Sequence, residues 1–121
     1  MIVLPAFDVQ TRRENSCTVI RVKGELDMSV APRLRAAIDR VLAEPGRPCL
    51  VMDLTEVPFC DSVGLGIMVN TLTRVRDSRG RLVLALAPGM IAHLLTITNL
   101  DRHFETYGSV EEAFGAFDAA A

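Results

Sequence analysis

The sequence predicts a single α/β domain in which helices pack on a mixed β-sheet. Short strand patterns alternate along the chain with longer amphipathic helix patterns. Two of the strand patterns, at 49–54 and 81–86, are almost continuously apolar, which is typical of parallel strands that are covered on both faces. Half of the 121 residues are hydrophobic, so the chain can bury a core of its own. We therefore expect one domain over residues 1–121.

The first part of the chain predicts two strands followed by a helix. Residues 6–12 predict a short strand, and residues 17–24 predict a half-exposed strand because apolar and basic side chains alternate there. A hairpin of these two strands makes the predicted sheet mixed. In residues 30–42 the apolar positions recur at helical spacing, and Pro32 falls in the first turn, where proline is tolerated. The predicted buried stripe of this helix is Val30, Leu34, Ile38, Val41 and Leu42.

A second helix follows the apolar strand at 49–54. We expect it to begin near Ser62 and to end before Gly80, where Asp77 and Ser78 precede the glycine. Its predicted core side chains recur at spacings of three and four and are Leu65, Met68, Val69, Leu72 and Val75.

Two more helices and an edge strand complete the predicted order. Pro88 opens the third helix, and residues 103–108 predict a short edge strand. Ser109 and Glu112 have the spacing of a capping box, which marks the start of the fourth helix. The predicted core positions are Ile91, Leu94 and Leu95 in the third helix and Val110, Ala113, Phe114 and Phe117 in the fourth.

Charge and cysteine content narrow the classes of partner. Thirteen basic and fifteen acidic residues give a net charge of −2 without a long run of either sign, which argues against nucleic acid or an anionic membrane as the main partner. The cysteines Cys17, Cys49 and Cys60 are too far apart for a CxxC motif, and we interpret them as reduced core thiols of a cytosolic protein.

The opening MIVLPAF lacks the basic start of a secretion signal. The most apolar later stretch is interrupted by Pro88 and is shorter than the roughly 20 residues that span a bilayer, so we expect a soluble protein.

Ser62 lies where a buried strand pattern ends and a helix pattern begins. In α/β sheets, ligand sites gather at such carboxyl ends of strands. A phosphate on Ser62 would be stabilised by the unpaired N–H groups and the partial positive charge of the helix start. Asp61 would repel that phosphate, which suits a reversible switch better than a permanent anion site. Gly64 and Gly66 leave space at the helix start for a neighbouring backbone or a partner surface.

Two other interpretations of Ser62 stay open on the residues alone. Serine is a preferred N-cap, Asp61 would be a second capping acid, and the glycines would let the helix pack closely on the sheet. Residues around Ser62 also resemble the nucleophile elbow GxSxG of hydrolases, but Cys60 replaces the first glycine. The two histidines, His93 and His103, lie far along the chain, so no base can be assigned. We expect Cys60 to be a poor nucleophile, because an apolar setting disfavours its thiolate.

Three stretches of the chain carry a family resemblance. They are VKGELD at 22–27, LVMDLTEVPFCDSVGLGIMV at 50–69 and the closing SVEEAF. Together they resemble the STAS domain family and, within it, the bacterial anti-anti-sigma factors, or anti-sigma factor antagonists. The middle stretch is the specific one, because the family's order and spacing are matched by Asp53, Asp61, Ser62, Gly64 and Leu65.

The chain departs from the family pattern at two positions. Val30 stands where Thr or Ser is common, so the first helix would be capped by Asp27 or Ser29. Val63 stands where Ser or another small residue is common, which removes a second candidate hydroxyl beside Ser62.

The resemblance implies a non-enzymatic phospho-switch that needs no cofactor. The unphosphorylated chain would bind an ATP-dependent serine kinase that is also the anti-sigma factor, and would thereby free a sigma factor. Phosphorylation of Ser62 would end that binding. The protein would be cytoplasmic and a monomer or weak homodimer, without direct contact to nucleic acid or membrane. The implied partner-binding residues are Asp27, Asp61, Ser62, Val63, Gly64, Leu65 and Gly66.

A second role within the same family stays open. STAS accessory subunits of membrane transporters, such as lipid-transport ATPases, resemble the chain at the same corner and need not be phosphorylated. The GELD stretch and the acidic neighbours of Ser62 favour the phospho-switch.

Overall fold

The computed structural model describes residues 6–119, which form a mixed β-sheet with helices on both faces. The strands are β1 Asp8–Glu14, β2 Cys17–Lys23, β3 Cys49–Glu56, β4 Arg81–Ala85 and β5 Glu105–Tyr107. The helices are α1 Ala31–Leu42, α2 Ser62–Asp77, α3 Met90–Ile97 and α4 Val110–Ala119, with a 3₁₀ helix at Leu100–Arg102. The predicted α/β class is confirmed. Most of the opening MIVLPAF, residues 1–5, lies outside the described part.

The strands lie side by side in the order β1-β2-β3-β4-β5. β1 and β2 are antiparallel, and the residues between them, Asn15 and Ser16, have φ values of 50° and 67°, as tight hairpin turns require. The pairs β2 with β3, β3 with β4, and β4 with β5 are parallel. The predicted hairpin and mixed sheet are therefore confirmed, and β3 is the central strand.

The two faces of the sheet are covered by different helices. Ile20 and Met52 point to the core shared with α1, α2 and α3, whereas Val51 and Val83 pack with residues of α4. Because successive residues of a strand point to opposite faces, a strand covered on both sides is apolar at nearly every position. This explains the continuous apolar patterns of β3 and β4.

The helix boundaries agree with the sequence prediction to within two residues. α3 begins at Met90, two residues later than the predicted start at Pro88, and Gly89 occupies its N-cap position. α1 begins at Ala31, one residue later than predicted, and Val30 occupies its N-cap position without a side-chain hydrogen bond. At the start of α4, Ser109 Oγ accepts from the N–H of Glu112 (3.0 Å), and the Glu112 carboxylate accepts from the N–H of Gly108 (3.0 Å). The predicted capping box is thus present, with the carboxylate bound one residue earlier than in the usual motif.

The prediction that Val69 of α2 lies in the core is wrong. Its side chain is exposed, because the helix turns a different stripe towards the sheet. The buried stripe includes a glycine and a threonine, and the hydroxyl of Thr71 is satisfied by donating to the carbonyl of Ile67 (2.7 Å). A search for large apolar residues overlooks such positions and displaces the predicted face. The buried residues of α2 are Gly64, Ile67, Met68, Thr71, Leu72 and Val75.

The prediction that all three cysteines are reduced is wrong for two of them. Cys17 and Cys49 begin the neighbouring parallel strands β2 and β3, with Cα atoms 4.7 Å apart, and their sulfurs form a disulfide. The two residues are 32 positions apart in sequence, so only the pairing of the strands brings them together. Cys60 has a free thiol and is buried, as predicted.

Candidate functional site

Two loops at the carboxyl ends of β2 and β3 form the candidate site together with the start of α2. The N–H of Leu26 donates to the carbonyl of Phe59 (2.9 Å), and the N–H of Asp61 donates to the carbonyl of Leu26 (3.2 Å). These bonds continue the parallel pairing beyond the strands, with Leu26 opposite Cys60. Both of these side chains are buried, so the loops are anchored to the core. The residues that follow them, Asp27 and Asp61, are held at the same edge of the sheet.

Asp61 is the N-cap of α2. Its backbone is extended (φ −89°, ψ −177°), and its Oδ1 accepts from the N–H of Gly64 (3.0 Å). Its Oδ2 accepts from the N–H of Met28 (2.9 Å), in the loop between β2 and α1. The interpretation of Ser62 as the N-cap is therefore wrong. A carboxylate is well suited to the N-cap position because it is a strong hydrogen-bond acceptor and because its negative charge is favoured at a helix start.

Ser62 is the first residue of α2, and its side chain is exposed. Within residues 6–119, its hydroxyl has no hydrogen-bond partner, and neither do the N–H groups of Ser62 and Val63. Both N–H groups belong to the helix start, where no preceding turn supplies carbonyls. The hydroxyl thus lies at the helix end that favours an anion.

Asp27 orders the loop that precedes α1. Its Oδ1 accepts from the N–H (2.9 Å) and the hydroxyl (2.6 Å) of Ser29, and its carbonyl accepts from the N–H of Ala31 (3.0 Å). The hydrogen bond from the Ser29 hydroxyl is the main reason that the pKa of Asp27 is lowered, and backbone N–H groups of Ser29 and Val30 add to it. Neither Asp27 nor Ser29 caps α1 through its side chain, so that expectation is wrong. Asp27 instead forms a turn stabilised by its carboxylate.

The two glycines of α2 have different roles. A Cβ on Gly64 would lie 2.7 Å from the sulfur of Cys60 and 2.9 Å from Cγ of Leu26, so a glycine is required for α2 to approach the loops this closely. Apart from its chain neighbours and the backbone of α2, no atom of residues 6–119 lies within 4 Å of the position that a Cβ on Gly66 would take, and Gly66 is exposed. Close packing on the sheet therefore explains Gly64 but not Gly66. Val63 and Leu65 are partly buried against the core.

Two large apolar side chains beside these loops are exposed, and sequence reasoning missed both. Met28 is 70% exposed and Phe59 is 40% exposed. Met28 directly follows Asp27, and Phe59 directly precedes Cys60. In the sequence, each reads as one more core residue, since only the chain path shows that it points outward. These two residues belong to the loops that hydrogen bonds join to each other and to the start of α2. We use the name Ser62 face for the following residues of these segments: Asp27, Met28, Phe59, Ser62 and Val63.

The residues weighed for hydrolase chemistry do not assemble around Ser62. His93 is exposed on α3, His103 is exposed beyond the 3₁₀ helix, and no hydrogen bond joins either one to Ser62 in the described residues. Burial raises the pKa of the Cys60 thiol to about 11, with a smaller contribution from the charge of Asp61. The expected low reactivity of Cys60 agrees with this shift.

Asp53, which matches the family pattern, has a local structural role. Its Oδ1 accepts from the N–H (3.1 Å) and the hydroxyl (2.7 Å) of Thr55 near the end of β3. Among the described residues, no group of three or more His, Cys, Asp or Glu side chains is placed to hold a metal ion. In the same part of the chain, none of the helices has the length and apolar character needed to cross a membrane.

The fold and the site just described agree with the protein family that the sequence matches. Residues 8–113 match the STAS domain family. The chain belongs to this family, as its sequence motifs predict.

Curated relatives and a solved structure show the same affiliation. The anti-sigma-B factor antagonist of Listeria monocytogenes is 36% identical over 81 residues, which are 67% of this chain and 70% of the relative. The anti-sigma-F factor antagonist RsfB of Mycobacterium tuberculosis is 30% identical over 108 residues, 89% of this chain and 87% of the relative. The crystal structure of an anti-sigma factor antagonist from Mycobacterium paratuberculosis superposes with a TM-score of 0.82 at 30% identity, covering 92% of this chain and 93% of that one.

Proposed function

We propose that this protein is a non-enzymatic anti-sigma factor antagonist that is switched by phosphorylation of Ser62. In the unphosphorylated state it binds a serine kinase that is also an anti-sigma factor, and a sigma factor is thereby freed. The names of the relatives support the antagonist role. The proposed binding surface is the Ser62 face together with Asp61, Gly64, Leu65 and Gly66. Because an anti-sigma factor antagonist acts on a regulator of transcription, we propose that the protein works in the cytoplasm.

The position of the Ser62 hydroxyl carries this proposal. It is exposed on the first residue of α2 and has no hydrogen-bond partner in the described residues, so a kinase can reach it without unfolding the helix. The N–H groups of Ser62 and Val63, which donate to no acceptor in residues 6–119, favour a phosphate at this end of the helix. The modified protein is therefore expected to stay folded.

The charge of the phosphate explains why binding would end. Phosphorylation adds roughly −1.5 to −2 charges at pH 7. It would add them next to the carboxylate of Asp61, whose two oxygens already accept hydrogen bonds, at the sheet edge where the loops expose the apolar side chains of Met28 and Phe59. Burying such a charge against a partner is costly unless a cation is supplied. A contact surface that fits the bare serine is lost when the phosphate is present.

A phosphorylation assay tests the proposal. The protein is incubated with ATP and each serine-kinase anti-sigma factor encoded in the source organism, and the product is mapped by mass spectrometry. We expect one phosphate on Ser62 that is absent from Ser62→Ala. Ser29→Ala is the matched control, since its exposed hydroxyl is nearby but bonded to Asp27. Phosphate on the Ser62→Ala variant would show that the assignment is wrong.

Co-purification from the source cells tests the choice of partner. We expect the unphosphorylated protein to retain the kinase identified in the assay. Recovery of a membrane-transport ATPase in place of a kinase would contradict the antagonist role and favour an accessory subunit.

A further inference from the structure

A groove runs between α1 and α2 and begins beside Ser62. Its volume is about 240 Å³, and its lining includes Arg35, Ile38, Val63, Gly66, Asn70 and Arg74. We call it the α1–α2 groove. Since Val63 follows Ser62 directly, the groove continues the Ser62 face along the two helices.

Gly66 leaves the wall of this groove open. Glycine is a poor helix former, and Gly66 lies inside the first turns of a 16-residue helix. Apart from its two chain neighbours and the backbone of α2, nothing in the described part of the chain comes within 4 Å of the position that its Cβ would take. No internal contact therefore requires a glycine here, whereas a partner side chain packed on the backbone of α2 would.

The charges in the α1–α2 groove are mainly basic. Arg35 is exposed and has no ion-pair partner among residues 6–119. Arg74 forms an ion pair with Asp39, in which its Nη1 lies 2.7 Å from Oδ1, and the Arg74 side chain remains 38% exposed. Asn70 adds an exposed amide. Two guanidinium groups against one carboxylate leave an excess positive charge above the apolar floor that Ile38 provides.

We propose that the α1–α2 groove is a second contact surface for the protein partner and that it takes an acidic segment. One apolar side chain of that segment packs over Gly66, and its carboxylates lie beside Arg35 and Arg74. The identity of the partner rests on the proposed function, but the chemistry of the segment follows from the groove. Guanidinium groups bind carboxylates in a planar, bidentate geometry, which makes two arginines a selective site for acidic side chains.

Binding measurements with groove variants test this surface. The probe is the kinase that phosphorylates Ser62, titrated into the unphosphorylated protein by calorimetry. Arg35→Glu and Gly66→Gln should each weaken binding by about tenfold, since one reverses a contact charge and the other fills the groove. Arg40→Glu is the matched control, because Arg40 lies on the same helix but faces β1. Its affinity should equal that of the unmodified protein.

The kinase titrations distinguish a failure of the groove proposal from a failure of the proposed function. Tight binding of the kinase by the unmodified protein together with unchanged affinity in both groove variants would overturn the groove and leave the antagonist role intact. If no kinase binds the unmodified protein, the antagonist role fails, and a peptide experiment decides the groove.

That experiment uses an amphipathic peptide of leucine and glutamate, about 15 residues long so that it can form helix. In NMR titrations it should shift the amide signals of Val63, Gly66 and Asn70, and Arg35→Glu should abolish these shifts. A peptide with lysine in place of glutamate should shift them far less. Equal effects of the two peptides, or shifts confined to other surfaces, would overturn the proposal.

Discussion

The carboxylate of Asp61 joins Met28 to the start of α2. One of its oxygens accepts from the N–H of Met28 at 2.9 Å, and the other accepts from the N–H of Gly64 at 3.0 Å. A single side chain therefore begins the helix and holds the loop that carries Asp27. Because Asp61 directly precedes Ser62, a new charge on Ser62 acts beside the group that orders both segments.

Removing this carboxylate should destabilise the protein. Asp61→Ala loses the helix cap and the partner of the Met28 N–H, so we expect the free energy of unfolding to fall by about 1–3 kcal/mol. Urea denaturation measures the change. Asp61→Asn retains one carbonyl oxygen and should lose less than Asp61→Ala. Equal stability of Asp61→Ala and the unmodified protein would contradict the role of both hydrogen bonds.

The two glycines of α2 provide a matched pair of substitutions. Gly64→Ala should lower the free energy of unfolding by about 1–3 kcal/mol, because the Cβ of the alanine would clash with the side chains of Cys60 and Leu26. Gly66→Ala should leave stability unchanged or raise it by up to about 1 kcal/mol, since alanine is the better helix former and its methyl group would touch no other element among the described residues. Thermal unfolding of both variants checks the contrast. Similar losses in the two would show that the space at Gly66 is not open.

Substitutions of Ser62 should separate charge from side-chain size. Ser62→Ala keeps the face uncharged, so we expect its affinity for the kinase to stay within about twofold of the unmodified protein. Ser62→Asp adds a charge to the contact surface and should bind at least about tenfold more weakly. Surface plasmon resonance with the kinase measures both. Equal affinities of the two variants would contradict the charge argument.

The buried thiol of Cys60 should make stability depend on alkaline pH. Burial raises its pKa to about 11 from an ordinary value of 9.0, so the folded state holds this proton more tightly than the unfolded chain. The resulting contribution to stability is present below about pH 9 and is lost as the pH rises towards about 11. Denaturant unfolding of the unmodified protein and Cys60→Ala over this range measures the difference. A constant difference between the two would argue against the raised pKa.

The bond between Cys17 and Cys49 should respond to reductant. Alkylation of the unfolded, non-reduced chain should modify Cys60 alone, as intact mass will show. Reduction should lower the free energy of unfolding by about 2–4 kcal/mol, because the open chain gains conformational entropy. Cys17→Ser should be insensitive to reductant, whereas Cys60→Ala should keep the full response. Alkylation of three cysteines before reduction would contradict the disulfide.

Local patterns were sufficient to predict most of the fold. The apolar runs of β3 and β4 predicted central strands, and the Ser109 and Glu112 spacing predicted the start of α4. These predictions succeed because strand alternation, helical spacing and capping depend on residues that are near one another in sequence. The motif around Ser62 predicted the family in the same way, and the match over residues 8–113 confirms it.

Features that depend on contacts distant in sequence differ from the prediction. The spacing of large apolar residues predicts a core position for Val69, but it does not show which face a helix turns inward, and Val69 is exposed. The sequence does not distinguish Asp61 from Ser62 as the cap of α2, because both are good capping residues. The bond from the N–H of Met28 holds the Asp61 carboxylate in place, and Met28 lies 33 positions earlier in the chain.

The sequence by itself determined the α/β class, the order of elements, the family and the placement of a serine at a helix start, because each depends on local spacing. Only the tertiary structure decided that Asp61 caps α2, that Gly64 is required by packing while Gly66 is open, and that Cys17 meets Cys49. It also placed Met28 and Phe59 at the surface beside Ser62. Each of these depends on how β2, β3 and α2 meet in space, and a linear pattern does not contain that information.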